Sequence, residues 1–309
     1  MSHIPVLLKE VVENIGCHDG GLYLDCTFGA GGYSKALLES ASCVVHAIDR
    51  DHNVLQYAKK VQEFYPDRFY FQVSEFGNIA KLFAGYQFDG IALDIGVSSM
   101  QVDQDERGFS FYRDGPLDMR MDQNQSFSAY DIVNQYTEIE LADLIRVYGD
   151  ERRAKRIAQF IVEERQVEPI ARTLKLAEIV KKAVGYYNDS IHPATRTFQA
   201  LRMVVNAEIE QLQSTLKQAT ELLKIGGRIA IVTFHSGEDQ VVKEYFNAIC
   251  GKSKKINKYQ EFSLQKPDES YDSPNFKMVN KKPIAPSRQD IKANIRCRSA
   301  KLRVVERVG

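Results

Sequence analysis

Leu22-Tyr23-Leu24-Asp25-Cys26, followed by Gly29-Ala30-Gly31-Gly32, is the stretch from which the fold can be read. A short apolar run closes on an acid, a glycine cluster permits a tight turn, and Tyr33 to Glu39 then has a helical pattern. The motif recurs downstream. Cys43 to Asp49 is a second apolar run ending on an acid, residues 53–63 read as a helix, Arg68 to Val73 as a third strand, and Phe88 to Asp94 as a fourth. Strand and helix alternating at this pitch predict βαβ units and a parallel sheet, which collects ligands at the carboxyl ends of its strands. Asp25, Asp49 and Asp94 all fall at such ends.

The alternation stops after residue 106. From 107 to 206 no strand pattern is evident, and Ile139 to Val147, Arg153 to Glu164 and Leu174 to Val184 carry apolar residues at helical spacing. This predicts a helical domain at 107–206 inserted into a discontinuous α/β domain, 1–106 with 207–309. From Ala207 a helix pattern runs to Lys224, Gly226-Gly227 reads as its stop, and Arg228 to Phe234 as a resumed strand. Residues 252–287, rich in lysine and proline, read as a long loop, and Lys301 to Val305 as a strand returning to the sheet edge.

The 309 residues are 44% hydrophobic and 27% charged, which suits a full core and excludes disorder as the main state. No window approaches an apolar membrane span, and Met1 to Pro5 carries no targeting signal, so a cytoplasmic protein is expected. The five cysteines are odd in number and lack a C-x-x-C pair, so neither a disulfide framework nor a metal site is expected. Lys and Arg balance Asp and Glu at 41 each, yet residues 252–309 hold fifteen basic and six acidic residues. That basic end is either a solvated tail or a surface for a polyanion.

Several positions carry candidate chemistry. Gly29, Gly31 and Gly32 allow close backbone approach, and the helix that follows offers its amides. Asp49, eighteen residues past Gly31, is placed to accept ribose hydroxyls. A dinucleotide fingerprint would need glycine at position 34, which is Ser34, so S-adenosylmethionine is favoured over NAD. Asp94-Ile95-Gly96-Val97-Ser98-Ser99 closes the fourth strand, where an acceptor for an amine N–H would assist attack on a sulfonium methyl. The alternative is that Asp94 caps the next turn. Arg107 to Asp122 mixes aromatics, arginines and acids as a base-holding loop would, and core packing of Phe109 and Phe111 is the alternative. Thr195 or Thr197 is expected to cap the helix after His192-Pro193, with Arg196 beside an anion or in a salt bridge. Ser236 with Asp239 resembles a capping box. His235 is either structural or a catalytic or substrate-contacting group.

With these residues in view, the chain resembles the RsmH (MraW) family of bacterial 16S rRNA cytosine-N4 methyltransferases. The resemblance runs from His3 to Arg307 and rests on six motifs: Asp25 to Gly32, Asp94 to Ser99, Arg107 to Phe111, Asp114 to Asp122, His192 to Arg202, and Phe234 to Asp239. It implies an α/β fold, a Rossmann-like S-adenosylmethionine-dependent methyltransferase sheet with an inserted all-helical domain. It also implies a cytidine of the small ribosomal subunit's 16S rRNA as acceptor. The family's cofactor contacts fall on Gly31, Gly32, Tyr33, Asp49, Phe76, Asp94 and Gln101. Asp94 and His235 are the catalytic candidates, and Arg107, Phe109, Phe111, Arg120 and Arg196 the substrate-binding ones. Tyr33 stands where histidine is usual and Gly237 where leucine is common. No metal and no membrane are expected, and a homodimer is compatible with the pattern. The rival classes are an NAD-dependent oxidoreductase, a DNA amino-methyltransferase, which should carry D-P-P-Y, and a non-catalytic ribosome assembly factor.

Overall fold

The computed structural model describes residues 5–186, 191–252 and 275–309. They form two compact units: residues 1–96 with 209–309, and residues 97–208. In the first, β1 (Leu22–Asp25), β2 (Val44–Asp49), β3 (Phe69–Val73), β4 (Phe88–Asp94), β5 (Leu223–Thr233), β6 (Phe276–Met278) and β7 (Lys301–Arg307) make one sheet. The strand order is β3-β2-β1-β4-β5-β7-β6. β1 to β5 pair in parallel, β7 runs antiparallel beside β5, and β6 antiparallel beside β7. The order reverses between β1 and β4, and such a switch point opens a crevice at the carboxyl ends of the strands.

Helices α1 (Leu8–Ile15), α2 (Gly32–Ser40), α3 (Leu55–Phe64) and α4 (Ile79–Leu82) precede the second unit. Leu24, Ile48, Ile91, Leu93, Ile229 and Ile231 from the strands pack with Ile79 of α4, and with later residues such as Leu212, Leu216, Val242 and Phe246. On β4, Gly90 lets α1 come close, since a Cβ there would lie 2.6 Å from Ile15 Cγ1. Near-continuous apolar strands follow from this burial on both faces.

The second unit holds α5 (Ser99–Asp103), α6 (Ala129–Gln135), α7 (Glu138–Gly149), α8 (Ala154–Arg165), α9 (Thr173–Val184) and α10 (Ala194–Val205). Its core is built from residues such as Ile132, Leu141, Ile145, Ile157, Ile161, Leu176 and Leu201. This unit opens at Val97, ahead of position 107. Ser98 and Gln101 form a capping box that starts α5, and Val97 and Val102 pack on the helical core. The segment 114–122 is tied down by Asn206, whose amide accepts from Met121 N and donates to Met119 O and Arg202 O, each at 2.8 Å. Met119 is thereby held at φ 63°.

Back in the first unit, α11 (Glu208–Glu221), α12 (Ser236–Ile249) and α13 (Arg288–Ala293) complete the fold. Several expectations are corrected here. α11 ends at Glu221, and Gly226-Gly227 lie within β5, where five residues pass while β4 advances only from Phe88 to Gly90. β7 is an interior strand, because Phe276–Met278, inside the expected loop, forms the edge. Residues 253–274 of that loop lie outside the described residues. α10 begins after Pro193 with no side-chain cap, which leaves Thr195 and Thr197 inside the helix. Among the described residues no helix is long and apolar enough to cross a membrane.

Asn206→Ala would leave buried Met121 N and Met119 O without partners. It is expected to lower the stability of the helical unit by about 3 kcal/mol in urea unfolding; a loss under about 1 kcal/mol would contradict this account.

Candidate functional site

The first unit gathers its polar groups at the carboxyl ends of β1, β2, β4 and β5. After β1 the chain turns through Thr27 to Gly31, and Gly31 is the residue before α2, at φ 81°. A Cβ there would meet the Phe28 ring at 2.7 Å, and one on Gly32 would lie 1.9 Å from Pro5 Cγ. The glycines are thus required by both backbone conformation and close approach. No side chain caps α2, so its leading amides face the crevice edge uncapped. Tyr33 is buried, and its hydroxyl donates to Val6 O at 2.5 Å, which leaves only its backbone for a ligand.

Around this turn stand three carboxyl groups. Asp25 is fully buried and accepts from Ser34 Oγ at 2.7 Å and Thr27 N at 3.2 Å. Burial nevertheless pushes its carboxyl up to about 6. Asp49 accepts from Gly29 N at 2.8 Å and Asp51 N at 2.9 Å, and burial likewise pushes it up to about 6. Asp94 has its backbone N–H donated to Thr27 Oγ1 at 2.7 Å, which ties the end of β4 to the turn after β1. Its Oδ1 is buried with no hydrogen-bond partner. Burial, then the charges of Asp25 and Glu238, raise its carboxyl well above the ordinary range. Phe76 follows β3, next to Glu75, which accepts from Arg50 at 2.7 Å and Gln211 at 2.8 Å.

Glu238 was not singled out in the sequence, yet it is fully buried and organises the turn after β5. Its Oε2 accepts from Phe234 N at 2.9 Å, and His235 precedes α12 as the capping residue. The expected Ser236 and Asp239 box is therefore corrected to His235 and Glu238. His235 Nδ1 accepts from Gly237 N and Glu238 N at 3.2 and 3.3 Å. His235 Nε2 lies 2.8 Å from Glu238 Oε1. Asp239 instead pairs with Arg303 at 2.7 Å and Lys301 at 3.0 Å. The Glu three residues after His235 is the signal that would have revealed the cap.

The remaining candidates belong to the helical unit. Gln101 is engaged in the α5 capping box, its Oε1 accepting from Ser98 N at 3.0 Å. Arg107 is buried and donates to Arg120 O and Met121 O, both at 3.0 Å, while Phe109 lies in the helical core. Arg120 grips Asp118 with two hydrogen bonds of 2.8 and 2.7 Å. These three hold the loop in shape. Arg196 lies 3.6 Å from Glu151 and remains partly exposed. Phe111 stacks on His192 with ring centres 4.7 Å apart and meets Tyr112 at 4.8 Å, and Tyr112 is 76% exposed. Tyr112 and His192 were not singled out; their aromatic company was visible in the sequence, their stacking was not.

A sheet of this strand order, with acid-tipped strands around a glycine turn, is a Rossmann-like methyltransferase fold. The chain belongs to the MraW methylase family, whose model it matches over residues 1–308. It is 46% identical to the ribosomal RNA small subunit methyltransferase H of Rickettsia akari, over 99% of both chains. It is 47% identical to the protein of that name from Rickettsia massiliae, over 99% of this chain and 98% of the other. A solved rRNA methylase from Streptococcus thermophilus aligns at a TM-score of 0.43 and 9% identity, over 98% of this chain and 94% of that one. The protein is a methyltransferase. Among the described residues no His, Cys, Asp and Glu cluster suits a metal ion.

Because the folded Asp25 carboxyl sits near 6, above its unfolded value of 3.8, the folded state binds its proton more tightly. Stability of the ligand-free protein is therefore expected to fall as pH rises from about 4 to about 6, with Asp25 contributing about 3 kcal/mol alongside Asp49. Asp25→Asn should make this part of the profile shallower in thermal melts, leaving the share of Asp49. Parallel profiles for variant and wild type would refute the assignment.

Proposed function

We propose that the enzyme transfers a methyl group from S-adenosylmethionine to the exocyclic N4 amine of a cytidine in 16S rRNA of the small ribosomal subunit. The observation that carries the reading is the set of carboxyl groups around the Gly29 to Gly32 turn, among them Asp94 with a buried oxygen awaiting a donor. The names of the relatives support the RNA class. Such a substrate places the work in the cytoplasm.

The residues suit this methyl donor. Asp49 keeps lone pairs on both oxygens for ribose hydroxyls, Gly31, Gly32 and Tyr33 contribute backbone groups, and Phe76 offers a face to adenine. When bound, S-adenosylmethionine supplies an electrophilic methyl on a positively charged sulfur. A cation held at this cluster would draw the Asp25 and Asp94 carboxyls back toward the ionised form. Asp94 is then an acceptor for an amine N–H, which keeps the nitrogen lone pair aimed at the methyl. His235, with Nδ1 engaged as a cap, positions the turn after β5. In the helical unit, Phe111, Tyr112 and His192 present a stacking face for an unpaired base, and Arg196 offers a charge to phosphate. The exposed Lys281, Lys282, Arg288, Arg296 and Arg298 face the RNA backbone. Gln101 acts through α5.

The first experiment incubates the protein with labelled S-adenosylmethionine and small subunits that lack their native methylation, then identifies the labelled nucleoside. N4-methylcytidine is the expected product; a label on any other nucleoside, or none, refutes the reading. A non-catalytic assembly factor would bind subunits without transferring label.

Asp94→Ala is expected to lower kcat by about 10²- to 10³-fold while leaving donor affinity within a few-fold. Unchanged turnover would remove Asp94 from the chemistry. Donor affinity should rise with pH through about 6, as Asp25 and Asp49 ionise. Asp49→Ala should weaken donor binding by about 10- to 100-fold in calorimetry, and a variant that binds normally would displace Asp49 from the ribose.

A further inference from the structure

At the opposite end of the sheet from the carboxyl cluster, two thiols meet. Cys17 follows the end of α1, and Cys43 immediately precedes β2. Their Sγ atoms are 3.8 Å apart, and both approach Leu37 O, at 3.6 and 3.4 Å. Both are free. They differ in setting: Cys43 is fully buried, while Cys17 is partly exposed. The sulfur contact with Cys43, with help from Ser40, Tyr23 and His18, holds the Cys17 thiol below the usual thiol range, while the same partnership pushes Cys43 up. Tyr23 Oη is fixed by donating to Gly16 O at 3.1 Å and accepting from His18 N at 3.0 Å. Arg68 Nη1 donates to Ala41 O at 3.0 Å and Cys43 O at 3.5 Å, and Asp89 stands 3.8 Å from His18.

We propose that Cys17 and Cys43 form a peroxide-responsive pair that closes to a reversible disulfide. The exposed member is the more acidic and the buried member stands behind it, which is the division of labour between a peroxidatic and a resolving thiol. The Cys17 thiolate attacks the O–O bond of hydrogen peroxide, giving a sulfenic acid and releasing hydroxide. The Cys43 sulfur then bonds to Cys17 Sγ, and its proton leaves with the sulfenic oxygen as water. The sulfur pair loses two electrons and the peroxide gains two. A dithiol reductant reverses the bond by exchange. The closed bridge encircles β1, the glycine turn and α2, so the oxidant acts on the segment that shapes the carboxyl cluster without touching it.

The test treats the reduced, full-length protein with hydrogen peroxide, alkylates the remaining thiols and digests with trypsin. Lys35 separates the peptide bearing Cys17, residues 10–35, from that bearing Cys43, residues 36–50. The expected product is these two peptides linked, two hydrogens lighter than their sum, and released by dithiothreitol. Cys26 shares the first peptide but is buried, and burial raises its thiol; fragmentation of the linked pair must place the bond on Cys17. In Cys43→Ser, oxidation should stop at a Cys17 sulfenic acid that dimedone traps. Cys17 should also alkylate at pH 7 about tenfold faster than Cys250, whose thiol burial pushes up. The proposal falls if wild-type protein yields no linked pair at a peroxide dose that oxidises Cys250. It falls equally if Cys17 passes to sulfinic acid unlinked, or if the bond lies on Cys26. The wild-type readout stands whether or not the variant folds.

Discussion

A carboxyl group buried without a counter-ion sets the terms for the α/β unit. Asp25 ends β1 with no exposed surface, and it is tolerable there because Ser34 Oγ and Thr27 N donate to it. Those two donors fix the path of the glycine turn on both sides. Thr27 in turn receives the backbone N–H of Asp94, which adds a hydroxyl tie at the end of the β1–β4 ladder. The strand order reverses at this pair of strands, where a parallel sheet parts to admit a ligand. The chain has placed uncompensated negative charge where a cation would relieve it.

The β5 turn follows the same logic from another direction. Glu238 is buried because it satisfies the amide of Phe234 and faces His235 Nε2, and His235 spends its other nitrogen on the start of α12. A histidine at a strand end suggests acid–base work. Here one nitrogen of its ring is already engaged at the start of α12.

The sheet was legible because its strands are short apolar runs closed by acids; Phe88–Asp94 could be bounded to the residue. What failed was local. Gly226-Gly227 looked like a helix stop because two glycines also suit a bulged strand, and only pairing with β4 distinguishes them. β6 has three residues, too few for a period to show. At the carboxyl edge of the sheet, the places of Asp49 and Asp94 were readable from the apolar runs that they close. Arg107 and Arg120 were not, since a loop rich in arginine reads alike whether the guanidinium groups face a phosphate or close upon the loop's own carbonyls and Asp118. Glu238 escaped notice because a carboxylate's burial is a tertiary property.

The place of β7 between β5 and β6 has a consequence for the order of synthesis. The helical unit, residues 97–208, is continuous in the chain and is complete before the first residue of β5 emerges. The sheet is not. Until residues 301–307 have been made, β5 stands as an open edge with its outward amides and carbonyls unpaired, and β6 has no partner among the described strands. Nascent chains must therefore carry a finished helical bundle beside an unfinished sheet, and a chain cut short before residue 301 keeps its full glycine turn and acid cluster on a sheet that cannot close its flank.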